Sequence, residues 1–235
     1  MSDVKKSTLE KIEYAQESAQ LTDPFTMLEL TQVDDLAVSV FLCQGTMPFH
    51  RHLDQDELFM VHSGTISIES DWGNLVLRPG ELAVVPKGLS HRSSSLIRSL
   101  VLLFQPRLNV NRRNGDRRLF ALKNSGKLEK VSIPAMGRQI VNLHTPVTLA
   151  HLDTFALNLL VCAQTGPWRT YHDQSSLVLC HNGQVDVDSD LGQISLHGGE
   201  MLVVPKATAY RLSSAERSLV LELQRHKQPG LPLPD

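Results

Sequence analysis

The chain repeats itself. Sliding the 235-residue sequence by 119 positions aligns residues 9–105 with residues 128–224 without a gap, and roughly 35 of about 97 pairs are identical. Gly80-Glu81 meets Gly199-Glu200, Val84-Val85-Pro86-Lys87 meets Val203-Val204-Pro205-Lys206, and residues 98–102 meet residues 217–221. Each copy is long enough to hold its own core, which separates this duplication from a solenoid of short stacked units. A fold proposed for one copy must therefore accommodate the sequence of the other.

The punctuation within each copy is that of short strands. Thr65-Ile66-Ser67-Ile68-Glu69 alternates polar and β-branched apolar residues before an Asp71-Trp72-Gly73 turn, and Gln184-Val185-Asp186-Val187-Asp188 stands at the same place in the second copy. Gly80, Pro86 and Gly88 mark further turns, and Leu100-Val101-Leu102-Leu103-Phe104 reads as a buried closing strand. These patterns predict an all-β chain of two small barrels or sandwiches, one over residues 1–106 and one over 128–235, joined by a basic linker at 107–127. Residues 8–20 alone could pass for an amphipathic helix, but their counterpart carries Pro134 and Gly137. A proline in a helix interior costs about 3 kcal/mol, so extended or irregular chain is expected in both copies.

Composition narrows the classes further. Hydrophobic residues make up 41% and charged residues 20%, with a net charge of −2, which fits a globular chain and neither a disordered polyelectrolyte nor a membrane protein. No apolar run approaches the ~18 residues of a spanning helix, and the polar start lacks the apolar stretch of a secretory signal, so the cytoplasm is the expected location. Cys43, Cys162 and Cys180 form no CxxC pair and suit neither a disulfide framework nor a thiolate zinc site. A pI near 6.5 gives no broad attraction to nucleic acid. The linker is the exception, with Arg107, Arg112, Arg113, Arg117, Arg118, Lys123 and Lys127 against Asp116, and solvated surface is the expected state of so short a charge run. Phosphate-loop and Ser-His-Asp patterns are missing, so nucleotide-driven and serine-hydrolase chemistry find no support.

The segment that carries chemistry is His50-Arg51-His52, followed by Glu57 and His91. Residues two apart on a strand share a face, so His50 and His52 would aim two imidazoles at one interior point. Glu57 follows a turn over residues 53–56, and a returning strand would bring its carboxylate back toward that point. His91 enters from another strand, just after the Pro86–Gly88 turn. Three imidazoles and a carboxylate inside a small barrel are costly on their own, since unpaired buried charge is penalised by roughly several kcal/mol. A divalent ion resolves the conflict. Nitrogen and oxygen donors of this kind suit Fe2+, Mn2+, Ni2+, Co2+ or Zn2+, and four protein ligands in an octahedral sphere leave two positions for substrate, water or O2.

The spacing His50-x-His52-x4-Glu57-x6-Gly64, then Gly80-x5-Pro86-x-Gly88-x2-His91, resembles the two signature motifs of the cupin superfamily, and the duplication resembles a bicupin. That resemblance implies β-barrels of jelly-roll type, with His50, His52, Glu57 and His91 as metal ligands and Fe2+ as the favoured ion. It also implies a metal-dependent oxidoreductase of dioxygenase type acting on a small chelating organic substrate, with Glu57 doubling as a catalytic base. The alternatives are a non-catalytic protein that binds a small ligand, or a metal-dependent decarboxylase, lyase or isomerase. The expected partner is a small molecule, without nucleic acid or membrane, and exposed sheet faces of such barrels allow a homodimer. Gly45 stands one residue closer to the first histidine than is usual in these motifs, and Ser95 takes a place where asparagine is frequent. Neither departure touches a ligand.

The second copy has Arg169, Tyr171, Ser176 and Tyr210 at the four ligand positions, so no metal is expected there. It serves either as a packing partner or as a pocket in which Arg169 and the two tyrosines hold a small anion. His62 and His181 occupy equivalent positions, and since the second keeps its histidine without a metal, a structural role is expected for both. Ser93 and Ser95 would share the face of His91, and Phe59 and Val61 would wall the pocket beside Glu57.

Overall fold

The computed structural model describes residues 9–106 and 126–225, so the basic residues Arg107 to Lys123 lie outside the described residues. The first half runs β1 (Lys11–Glu13), α1 (Tyr14–Glu17) with a 3-10 turn at Ser18–Gln20, β2 (Met27–Val33), β3 (Leu36–Thr46), β4 (Glu57–Ser63), β5 (Ile66–Ser70), β6 (Gly73–Leu77), β7 (Glu81–Val85) and β8 (His91–Pro106). The second half follows with β9 (Lys130–Ser132), α2 (Ile133–Gln139), β10 (Val147–Leu152), β11 (Phe155–Thr165), β12 (Arg169–Thr170), β13 (Ser176–Asn182), β14 (Gln184–Ser189), β15 (Gly192–His197), β16 (Glu200–Val204) and β17 (Ala209–Arg225). The chain is all-β, built as two antiparallel jelly-roll barrels.

In the first sheet the order is β2-β3-β8-β4-β7-β9, with the β5–β6 hairpin also paired to β8. The second is β10-β11-β17-β13-β16-β1, with β12 and β14 on β17 and β15 on β14. The halves exchange their first strands: Lys11–Glu13 pairs with Leu202–Glu200 of the second half, and Lys130–Ser132 with Ala83–Glu81 of the first. Division at residues 106 and 128 thus does not separate the two sheets. Each opening strand finds its unpaired edge on the other copy.

Alternation along the strands explains why they are apolar on both faces. Phe59 and Val61 of β4, Ala83 and Val85 of β7, and Val101 and Leu103 of β8 fill the first barrel. Their neighbours Leu58, Met60, Leu82, Leu102 and Phe104 turn outward and pack on Leu157, Leu159, Leu177, Leu179 and Leu221 of the second half. A strand buried on both sides loses the polar-out positions of a solvated sheet. Glu57 has the parity of Phe59 and Val61, which points its carboxylate inward.

The expectation of irregular chain at the start of each copy is corrected. Residues 14–17 and 133–139 are helical, and Pro134 sits in the first turn of α2. At that position a proline lacks only an N–H that has no partner within the helix, so the interior penalty does not apply. Ser132 caps the same turn by accepting from the Ala135 amide at 3.4 Å.

His62 faces away from Glu57 and lies at the seam between the halves. Its Nδ1 is 3.1 Å from the Tyr14 hydroxyl, and His181 stands against Gly80 and Pro134 of the reciprocal contact. Burial lowers the His62 pKa, and burial followed by the His62 charge lowers that of His181 to about 4. The unfolded chain binds these protons near the ordinary histidine value, so stability is fully present above it and is lost as pH falls from about 6.5 toward 4. Thermal melts should therefore show a falling Tm over this range, and His181→Gln should flatten the decline. An identical slope in that variant would remove the histidine as its cause. No helix among the described residues is long and apolar enough to cross a membrane.

Candidate metal centre

Backbone pairing brings His50 and His91 together. His50 lies before β4 in a single antiparallel bridge: its N–H donates to the His91 carbonyl at 2.9 Å, and the His91 N–H donates back at 2.9 Å. Residues directly opposite in such a pair send their side chains to the same side of the sheet, and the two ring centroids are 4.4 Å apart. The regular strand expected for His50-Arg51-His52 is not formed. Only His50 pairs, while residues 51–56 run irregularly to β4.

Each imidazole is oriented from behind. His50 Nδ1 is 3.0 Å from the Pro48 carbonyl and His91 Nδ1 is 3.1 Å from the Leu89 carbonyl. A protonated Nδ1 donates to such an oxygen and leaves Nε2 with its lone pair toward the barrel interior, an arrangement typical of metal-binding histidines. Glu57 opens β4 and is 3% exposed. Its Oε2 lies 3.1 Å from His91 Nε2 and its Oε1 3.3 Å from His52 Nε2.

His50, Glu57 and His91 each place a ligand atom within 4.8 Å of the others, whereas His52 lies outside this cluster and is one-third exposed at its edge. Although Glu57 Oε2 and His91 Nε2 are close, neither has a hydrogen-bond partner, and both are buried. Two orphaned polar atoms facing one point are what a cation between them would satisfy. The donor set fits a divalent ion.

Burial pulls the His91 pKa down, but the Glu57 carboxylate and the Leu89 carbonyl outweigh it, leaving a net upward shift. Phe59 approaches the His91 ring edge-on with centroids 6.1 Å apart, making it part of the wall. Ser93 is buried on the His91 face, while Ser95 bonds the Thr65 and Ile97 carbonyls and belongs to the framework. The cysteines are free and buried, with Cys43 and Cys180 pushed up by burial to about 11 and Cys162 to about 12, so none offers a thiolate at neutral pH.

The corresponding point of the second half is occupied by the chain itself. Arg169 pairs with Tyr210 across β12 and β17, as His50 does with His91. Its Nη1 donates to Glu222 Oε2 at 3.3 Å and its Nη2 to the His144 carbonyl at 2.6 Å. Tyr210 donates to Glu222 Oε1, and Gln224 donates to the Tyr171 hydroxyl at 2.9 Å. Of the two alternatives for this half, the small-anion pocket around Arg169 gives way to an internal ion pair, because Glu222 already supplies the counter-charge. Sequence reasoning missed Glu222, although its signal was present: it replaces Leu103 in the otherwise apolar run 219–223.

Residues 39–96 match the cupin domain family. A stretch of 74 residues, 31% of this chain, is 34% identical to the uncharacterized protein YdbB of Bacillus subtilis (strain 168), of whose length it spans 66%. Among solved structures, a cupin 2 conserved barrel domain protein from Leptotrichia buccalis aligns with 96% of this chain and 100% of its own, at a TM-score of 0.69 and 8% identity. The salicylate 1,2-dioxygenase from Pseudaminobacter salicylatoxidans aligns over 94% of this chain and 85% of its own, at a TM-score of 0.68 and 12% identity. At such identities the likeness is one of fold.

Proposed function

We propose that this chain, a member of the cupin superfamily, holds a divalent metal ion, with Fe2+ favoured, through His50, His52, Glu57 and His91, and is an oxidoreductase of dioxygenase type acting on a small chelating organic substrate. The observation that carries the metal is the buried meeting of His50, Glu57 and His91, with two polar atoms lacking any hydrogen bond. The fold-level likeness to a salicylate dioxygenase supports the reaction class. A redox-active divalent ion held by these residues would supply the means to reduce molecular oxygen and to polarise a chelating substrate.

The chain's own residues set the conditions for that chemistry. His50 and His91 are oriented by the Pro48 and Leu89 carbonyls behind them. His52, at the edge, borders the approach to the site. Phe41, Phe59, Val85 and Leu89 exclude water behind it. Glu57 presents one oxygen toward His91 and one toward His52, so the carboxylate can accept a proton from an acidic substrate hydroxyl.

Anaerobic reconstitution with Fe2+, followed by oxygen-uptake assays over catechols, diketones and hydroxy acids, tests this reading. Substrate-dependent uptake that disappears in Glu57→Gln is the expected result. Tight binding of these compounds with no turnover under any of the divalent metals would replace the enzyme with a non-catalytic ligand-binding protein.

A further inference from the structure

We infer that Asp153, from the metal-less half, is a positioning residue for Glu57 and His91 in the other half. The inference rests on the metal reading above and adds a reason for the second barrel to stay attached.

Asp153 lies in the tight turn between β10 and β11, with φ 49°. Its Oδ2 accepts the Asp56 N–H at 3.1 Å, while its own N–H donates to Asp56 Oδ2 at 3.0 Å. Asp56 immediately precedes Glu57. The other oxygen of each carboxylate goes to one residue: Lys87 Nζ donates to Asp153 Oδ1 at 2.7 Å, and the Lys87 N–H donates to Asp56 Oδ1 at 2.9 Å. Lys87 belongs to the Pro86–Gly88 turn that leads to His91, and the Gly88 N–H reaches the His52 carbonyl at 2.6 Å. One clasp thus fixes the backbone before Glu57, the turn before His91 and the carbonyl of His52. The Lys87 ammonium pairs with the Asp153 carboxylate, while the Asp56 carboxylate is held by the backbone N–H groups of Lys87 and Asp153.

The duplication provides an internal control. Asp34 is the counterpart of Asp153, with φ 53°, and its Oδ1 accepts the Ser175 N–H at 3.2 Å before the metal-less site. Ser175 stands where the first half has Asp56, so the reciprocal carboxylate is missing there. Both turns clasp the opposite half, but only Asp153 reaches ligand-bearing segments.

The test uses the full chain, stripped with chelator and titrated with Mn2+. Asp153→Gly deletes the carboxylate while keeping a residue at ease at positive φ, and should weaken Mn2+ binding about 10–100-fold, the usual effect of losing a group that orients ligands. Asp34→Gly should leave Mn2+ affinity at the parent value, with metal-free melting temperatures similar in the two variants. Asp153→Asn, which keeps one acceptor oxygen and tolerates positive φ, should recover part of the loss. Parent-like affinity in Asp153→Gly, or an equal loss in Asp34→Gly, overturns the positioning role. His91→Ala separates the two levels: if it binds Mn2+ as the parent does, the metal reading fails and this inference with it. If only His91→Ala loses the ion, the metal stands and the clasp does not.

Discussion

Chelator-stripped protein reloaded with Mn2+ or Co2+ should take up one ion per chain, and His91→Ala should take up none under the same conditions. The stoichiometry follows from the two centres. The first half gathers three ligand atoms within 4.8 Å, and the second has Arg169 and Tyr210 where His50 and His91 would be. His91 is 1% exposed and Glu57 3%, so losing either ligand removes an inner donor that water cannot readily replace. The loss should exceed the ~10–100-fold expected for a supporting group such as Asp153. His52→Ala should lie between these, because His52 is one-third exposed and a solvent molecule can take its place. Tm offers a second readout, since an ion at 100 times its Kd stabilises the folded state by about 2.7 kcal/mol. The parent should gain that increment and His91→Ala should not, while their metal-free melts stay close. Equal ion content in parent and His91→Ala would end the metal assignment.

The duplication, the strand punctuation and the four candidate ligands are local patterns, and local patterns are legible in sequence. Glu57 shows why: once β4 is recognised, its two-residue spacing from Phe59 and Val61 fixes the face of its side chain. What escaped depends on which segments meet. The exchange of β1 and β9 satisfies sheet edges that no local pattern assigns to one half or the other. Pro134 is ambiguous in sequence because the rule for proline depends on whether it stands in the first turn or the interior, and that depends on where the helix begins. Asp56 and Asp153 are 97 positions apart, and each alone looks like an ordinary turn aspartate. Glu222 is intermediate. Its place in an apolar run is visible, but its partner Arg169 is found only by folding the second copy on the template of the first.

Arg169→Met should destabilise the protein by about 3–5 kcal/mol, the usual cost of leaving one member of a buried ion pair without its partner. Glu222 is fully buried and the Arg169 side chain 12% exposed, so solvent does little to screen the loss. Burial raises the Glu222 pKa against the lowering effects of Arg169, Tyr210 and Gln224, and without the guanidinium it must rise further. A carboxyl with a raised folded-state pKa holds its proton where the unfolded chain has released it. Stability is therefore lost as pH climbs above the ordinary carboxylate range, and the deficit of Arg169→Met should be larger at pH 7.5 than at pH 5.5 in urea denaturation. The seam histidines act in the opposite direction, but equally in both proteins, so they cancel in the difference. Arg169→Met with Glu222→Gln should recover most of the loss, because the amide oxygen can still accept from Tyr210 and no charge remains. A deficit independent of pH, or no recovery in the double variant, would show that Arg169 contributes packing rather than charge. The expected outcome has a corollary: Arg169 supplies, as a covalent cation, the positive charge that the proposed metal ion would bring to the equivalent point of the first half.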